Sequence, residues 1–99
     1  MNPAQLSDMQ FSVVQKVLLP HIDRFQEVKV FGSRATGKNR RGSDLDLALV
    51  GADALLRDDL LFAFDESDLS ITVDIVDLDR CGNDALKDEI ARDAIPLLQ

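Results

Sequence analysis

The chain has 99 residues, of which 45% are hydrophobic, and its formal net charge is −7 at pH 7. This length predicts a single domain, residues 1–99, with a modest core. The acidic balance repels a phosphate backbone, and a chain with no Trp or Tyr lacks the usual base-stacking residues, so we expect no direct nucleic-acid binding. One cysteine, no apolar run of about 20 residues and no basic-apolar leader predict a cytoplasmic protein without membrane association.

Three segments carry apolar residues at the three- and four-residue spacing of amphipathic helices. They are residues 7–19, with Ser7 as N-cap and Pro20 at the end; residues 53 to about 66, capped by Asp53; and a last helix capped by Asn83 and closed by Pro96. The final residues 97–98 are expected to be a short extension packed on the domain.

Three shorter segments, residues 28–31, 44–50 and 71–76, predict strands. The second alternates most clearly, with its leucines on one face and its aspartates on the other. Residues 34–43 have no apolar periodicity, so we expect a turn or short helical turn and then an exposed basic loop. The order αβ(turn)βαβα predicts an α/β (α+β) domain, a small mixed sheet with helices packed on it.

Three aspartates are candidate metal ligands. Asp44 and Asp46 lie two apart on one strand, so their carboxylates share a face about 7 Å apart along the backbone. Asp74 lies within an apolar strand, where a lone charge is rarely tolerated. If the two strands are neighbours, three carboxylates meet on one face and suit Mg²⁺ or Mn²⁺. Each aspartate alone is also compatible with a solvated sheet face; their joint occurrence with a Gly-Ser turn favours a functional site.

The Gly-Ser turn is a candidate phosphate site. Gly32 lets the backbone turn tightly and lets a phosphate approach the main chain, and the Ser33 hydroxyl adds a donor. Arg34 and Lys38 are the predicted cationic contacts to the nucleotide. Carboxylate-bound metal opposite a phosphate cradle indicates phosphoryl or nucleotidyl transfer. A P-loop is excluded because Asn39 occupies the position where Ser or Thr must bind Mg²⁺.

The chain resembles the DNA polymerase β-like nucleotidyltransferase superfamily in two motifs, Gly32-Ser33-Arg34-Ala35 with Gly37, and Ser43-Asp44-Leu45-Asp46-Leu47. The segment 72–78 resembles that family's third-carboxylate strand, and the short length resembles its minimal, MNT-type members, many of which are antitoxins of HEPN-domain toxins. The resemblance extends from the first helix to the last and implies the nucleotidyltransferase fold.

The resemblance also implies an activity, the transfer of AMP from ATP to an acceptor hydroxyl with two Mg²⁺ ions, or Mn²⁺. Asp44 and Asp46 would bind both metals, Gly32 and Ser33 would hold the terminal phosphates, and Asp74 would bind the catalytic metal and help deprotonate the acceptor. The implied acceptor is a tyrosine of a HEPN-type toxin. Asp77 falls on the opposite strand face and is the weaker candidate for the third carboxylate.

Two alternatives remain open from the sequence. The chain could be a non-catalytic binding antitoxin or accessory subunit, or a nucleotidyltransferase subunit acting on a small molecule such as an antibiotic. As a nucleotidyltransferase without an added domain, the chain is expected to take its acceptor surface from a partner protein or a second copy, in a homo- or hetero-oligomer. His21 and Cys81 are expected to be structural, since neither has a second metal-binding residue or a base nearby in sequence.

Overall fold

A computed structural model describes residues 2–98. The helices are α1 (Asp8–Leu18), α2 (Ser33–Thr36), α3 (Leu56–Asp65) and α4 (Asp84–Asp93). The strands are β1 (Glu27–Phe31), β2 (Leu45–Val50), β3 (Val73–Asp77) and β4 (Ile95–Pro96), and 3-10 turns cover Leu19–Arg24 and Leu78–Arg80. None of the helices in this part of the chain combines the length and apolarity needed to span a bilayer.

The strands form one mixed sheet in the order β3-β2-β1-β4, which confirms the predicted small mixed sheet. The strand β1 is antiparallel to both β2 and β4, whereas β2 and β3 are parallel. Parallel strands cannot be joined by a tight hairpin, and α3 lies in the connection between β2 and β3.

Both faces of the sheet are covered. Leu45, Leu47 and Leu49 are fully buried in the main core, which includes residues of α1 and α3. On the other face, Ile90 of α4 packs with Phe31 and Ala48 in a smaller cluster. The carboxylate face of β2 is therefore only partly open, because α4 lies over one end of it.

The structure corrects the end of the chain. The last helix ends at Asp93, and Pro96 lies in a short strand paired with β1 rather than closing the helix. The N–H of Leu97 donates to Val28 O at 3.1 Å, and Leu97 is buried, which confirms that the tail packs on the domain. A strand of two residues is too short for a period of two to be visible in sequence.

The predicted helix caps are partly confirmed. Ser7 and Gln10 form a capping box at α1, and the Asn83 side chain accepts from Leu86 N–H at α4. Asp53 does not cap α3, which begins at Leu56; its carboxylate accepts from Leu55 N–H and pairs with Arg24 at 2.7 Å. The third strand begins two residues later than predicted, at Val73.

The ion pair between Arg24 and Asp53 predicts an acid-dependent loss of stability. Hydrogen bonding from Arg24 lowers the pKa of Asp53 to about 2. A carboxyl group with a lowered pKa contributes stability above its unfolded pKa of about 3.9, and that contribution is lost as the pH falls to about 2. Urea denaturation should therefore show a smaller loss of unfolding free energy over this window in Asp53→Asn than in wild type. Asp68→Asn, at an exposed aspartate without an ion pair in the described chain, should retain the wild-type acid dependence; identical curves for all three proteins would contradict the prediction.

Candidate active site

The sheet register brings together the two motifs and the distant aspartate. The parallel pairing of β2 with β3 places Asp46 directly opposite Asp74, which confirms that their strands are neighbours. The antiparallel pairing with β1 places Asp46 opposite Phe31, the residue before Gly32. Asp44 precedes β2, beside the point where Leu45 N–H donates to Thr72 O at 2.8 Å. The Gly-Ser turn and the three aspartates therefore lie at the same end of the sheet.

Asp46 is the central carboxylate of this group, and its surroundings disfavour its charge. Partial burial is the main cause, followed by the charges of Asp74, Asp44 and Glu89, and together they raise the pKa of Asp46 to about 6. Repulsion between neighbouring carboxylates is relieved when a cation binds to them or when one of them takes up a proton. The side chains of this group supply no such positive charge next to Asp46.

The carboxylates are not already gathered around a single point. Within residues 2–98, no group of three Asp, Glu, His or Cys side chains is arranged to hold a metal ion. The donor set nevertheless fits a hard divalent cation, since it consists of oxygens on one sheet face beside a carboxylate with a raised pKa. Asp44 and Asp74 are exposed, which leaves both side chains room to turn toward Asp46.

Gly32 lies in close contact with the central carboxylate. Its backbone has φ 72° and ψ −153°, a conformation that essentially only glycine adopts. A Cβ at this position would collide with the Asp46 carboxylate oxygen and would lie 3.3 Å from its Cγ. The missing side chain thus allows the turn that begins at Ser33 to lie directly against Asp46.

The turn after Gly32 is the single helical turn α2. Its first residue, Ser33, is half-buried, and Gly37 ends the turn in the left-handed conformation. Sequence reasoning predicted a turn or short helical turn followed by a loop, and the structure confirms this.

Arg34 lies elsewhere than predicted. Its side chain is 2% exposed, and its guanidinium donates to the carbonyl oxygens of Ala4, Gln5, Arg41 and Ser43. The structure therefore corrects the prediction that this side chain contacts the nucleotide, because its donors are already directed at the backbone.

Lys38 is exposed and lies near the end of α4. The hydrogen bond from Arg92, and more weakly the charge of Lys38, lower the pKa of Asp93, the last residue of α4. Lys38 therefore lies near Asp93 at the C-terminal end of α4. Asp77 lies on the opposite face, 7% exposed and paired with Arg80 at 2.8 Å, as strand parity predicted.

Glu89 is a charged residue near the candidate site that the sequence did not reveal. It adds a negative charge near Asp46 from α4, where Ile90 packs against Phe31. The helix was predicted, but the sheet face that it covers cannot be read from its apolar stripe alone. The available signal was that Glu89 directly precedes Ile90, which belongs to that apolar stripe.

Comparison with known proteins agrees with this geometry. Residues 14–99 match the family described as "Polymerase beta, Nucleotidyltransferase", a span that includes the Gly-Ser turn and all three aspartates. The chain is 43% identical over 67 residues to the "Probable protein adenylyltransferase MntA" of Haemophilus influenzae. That match covers 65% of this chain and 59% of the relative, so it spans less than two thirds of that protein's length.

Solved structures share the fold. One is a crystal structure of a toxin–antitoxin with AMP-PNP, with a TM-score of 0.70 and 27% identity over 89% of this chain and 72% of that one. Another is a mutant of the toxin–antitoxin MntA-HpeT, with a TM-score of 0.68 and 27% identity over 95% of this chain and 73% of that one.

Proposed function

The chain belongs to the polymerase beta nucleotidyltransferase family, and on that premise we propose that it transfers AMP from ATP to a hydroxyl of a partner protein, with pyrophosphate as the leaving group. The acceptor is a HEPN-type toxin, which this modification silences. One observation carries the proposal: the register places Asp74 beside Asp46, next to the turn at Gly32. The MntA relative and the toxin–antitoxin structure with AMP-PNP support the choice of donor and partner.

The roles of the residues follow from their positions. Asp44 and Asp46 would hold Mg²⁺, or Mn²⁺, on the nucleotide side, and Asp74 would complete the donor set from the neighbouring strand. When bound, the divalent cations neutralise charge on the phosphates and on the attacking and leaving oxygens. Asp74 is exposed at the edge of the sheet, so it can reach an incoming hydroxyl and accept its proton.

The phosphate side is formed by backbone and short side chains. Gly32 carries no Cβ, so the triphosphate can approach the main chain of the turn. The Ser33 hydroxyl donates to phosphate oxygens, and Lys38 supplies a positive charge at the border of the site. Positioning of this kind accounts for most of the catalysis expected in phosphoryl transfer.

Transfer of AMP can be tested with two labels. The protein is incubated with Mg²⁺, its HEPN-type partner and ATP labelled either at the α- or at the γ-phosphate. We expect the α-label on the partner and no γ-label, and EDTA should abolish the transfer. Mg-ATP should also raise the free energy of unfolding, by about 2.7 kcal/mol at 100 times its Kd.

Other outcomes of the same experiment would contradict the proposal. Incorporation of the γ-label would indicate a kinase, and an α-label on a small molecule instead of the partner would indicate a different acceptor class. Transfer of the α-label in the presence of EDTA would show that the reaction does not require a divalent cation.

A binding antitoxin without catalysis is the alternative that the same experiment separates from AMP transfer. In that case the protein binds and silences its partner, and no label from ATP appears on the partner. Silencing that is independent of ATP separates this function from AMP transfer.

A further inference from the structure

We propose that Arg34 is a positioning residue of the active site, which fixes the loop of residues 37–43 so that Asp44 keeps its place relative to the turn at Ser33. The inference rests on the proposed function and assigns a role to a side chain that does not contact the nucleotide.

The guanidinium is buried and hydrogen-bonded entirely to backbone carbonyls. Nε and Nη2 donate to Ser43 O at 3.2 and 3.1 Å, and Nη1 donates to Gln5 O at 3.0 Å and Ala4 O at 3.2 Å. No carboxylate in residues 2–98 forms an ion pair with it. Burying a cation without a counter-ion is costly, and the carbonyl acceptors offset part of that cost.

The same residue connects the two halves of the site. Its backbone lies in α2, directly after Ser33, while its side chain holds the carbonyl of Ser43, the residue directly before Asp44. The loop between them is exposed over most of its length, and its other bonds are local ones such as Ser43 N–H to Arg40 O at 3.0 Å. Arg34 is therefore a cross-link between the phosphate turn and the start of β2.

The third element joined by Arg34 is the segment before α1. Ala4 is fully buried there, and the Asn2 side chain bonds both the N–H and the carbonyl of Leu6. This segment lies outside residues 14–99, the part that matches the family. Arg34 therefore connects residues 2–6 to the loop that precedes Asp44, because its guanidinium donates to carbonyls of both segments.

Loss of these bonds should allow Ser43 and Asp44 to shift relative to Ser33. A displacement of about 1 Å between catalytic groups costs about 100-fold in rate. Loss of a residue that orients a metal ligand typically costs about 10- to 100-fold. We therefore expect the effect of Arg34 to appear in kcat, with the loop loosened even when no nucleotide is bound.

The test compares arginine variants by hydrogen exchange and by kinetics of AMP transfer. Arg34→Lys keeps the charge but cannot serve all four carbonyls, and Arg34→Gln removes the charge. The matched control is Arg24→Gln, because Arg24 also makes several hydrogen bonds, to Asp53 and Asp59, but lies outside the proposed site. All proteins are measured at a temperature at which they are folded; if Arg34→Gln does not fold, Arg34→Lys carries the test.

We expect Arg34→Lys to raise amide exchange in residues 3–6 and 38–45 without nucleotide, and to lower kcat about 10- to 100-fold. Arg24→Gln should raise exchange around residues 53–59 and leave kcat near wild type. Unchanged exchange with only a raised KM for ATP would overturn the inference, because Arg34 would then contact the nucleotide. An equal loss of kcat in Arg24→Gln would also overturn it. If wild type transfers no AMP, the proposed function fails, and the exchange pattern alone decides whether Arg34 fixes the loop.

Discussion

Replacement of Asp46 by Asn should abolish AMP transfer and at the same time stabilise the nucleotide-free protein. The transfer rate should fall on the order of 10³-fold or more, since the central ligand of the site is lost. Stability should rise because Asn removes the charge that burial, Asp74 and Asp44 disfavour, as the raised pKa of Asp46 shows. We expect a gain in the free energy of unfolding on the order of 1 kcal/mol. This is less than the free energy that corresponds to the whole pKa shift, because solvent screens a partly exposed carboxylate.

The matched control is Asp77→Asn. Asp77 lies on β3 like Asp74, but on the opposite face, buried and paired with Arg80. Its replacement should lower stability by about 1 kcal/mol, since the buried carboxylate loses its bond to Arg80 while the half-exposed Arg80 stays solvated, and should leave transfer near wild type. Urea denaturation and α-label transfer measure both effects. If Asp46→Asn transferred AMP at the wild-type rate, Asp46 would not be a catalytic metal ligand. If Asp46→Asn were less stable than wild type, the charge of Asp46 would not be disfavoured in the folded protein.

Replacement of Gly32 by Ala should damage both the turn and the carboxylate beside it. An alanine would have to adopt φ 72° and ψ −153°, at a cost of about 1 to 3 kcal/mol. Its Cβ would also displace the Asp46 side chain, which it overlaps. We expect transfer to fall about 100-fold or more, because the carboxylate and the phosphate turn can no longer lie together.

Two glycine variants separate strain from position. Gly51 also has a positive φ, and a Cβ there would meet the Gln26 side chain, so Gly51→Ala should be destabilised yet still transfer AMP. Gly42 has no atom within 4 Å of the added Cβ, so Gly42→Ala should remain within about 0.5 kcal/mol of wild type. If folded Gly51→Ala also lost AMP transfer, strain at a distant glycine would be enough to explain the loss in Gly32→Ala. The position of Gly32 beside Asp46 would then not be the cause.

Most of the sheet could be predicted because its signals are local and repeated. The alternating leucines of β2 indicated which face is core, and strand parity correctly separated Asp74 from Asp77. The pairing of β2 with β3 was not readable, since periodicity determines faces and not neighbours. It required the structure.

The misplaced residues share a physical reason: the groups that surround them come from distant parts of the chain. Arg34 was predicted to be a cationic contact to the nucleotide, yet its acceptors are carbonyls up to 30 positions away. Asp53 is a good helix cap by residue type, but its pairing with Arg24 lies outside any local pattern. Glu89 joined the site through the packing of a whole helix.

The carboxylates of the proposed site, Asp46 and Asp74, become neighbours only when the parallel strands β2 and β3 have paired. A nascent chain that ends before Asp74 carries the Gly-Ser turn and two of the aspartates, but no acceptor-side carboxylate. Closing the crossover through α3 is a non-local event that must pay its loop entropy first, so such contacts form slowly. The proposed site therefore cannot form before the residues of β3 have been synthesised and have paired with β2.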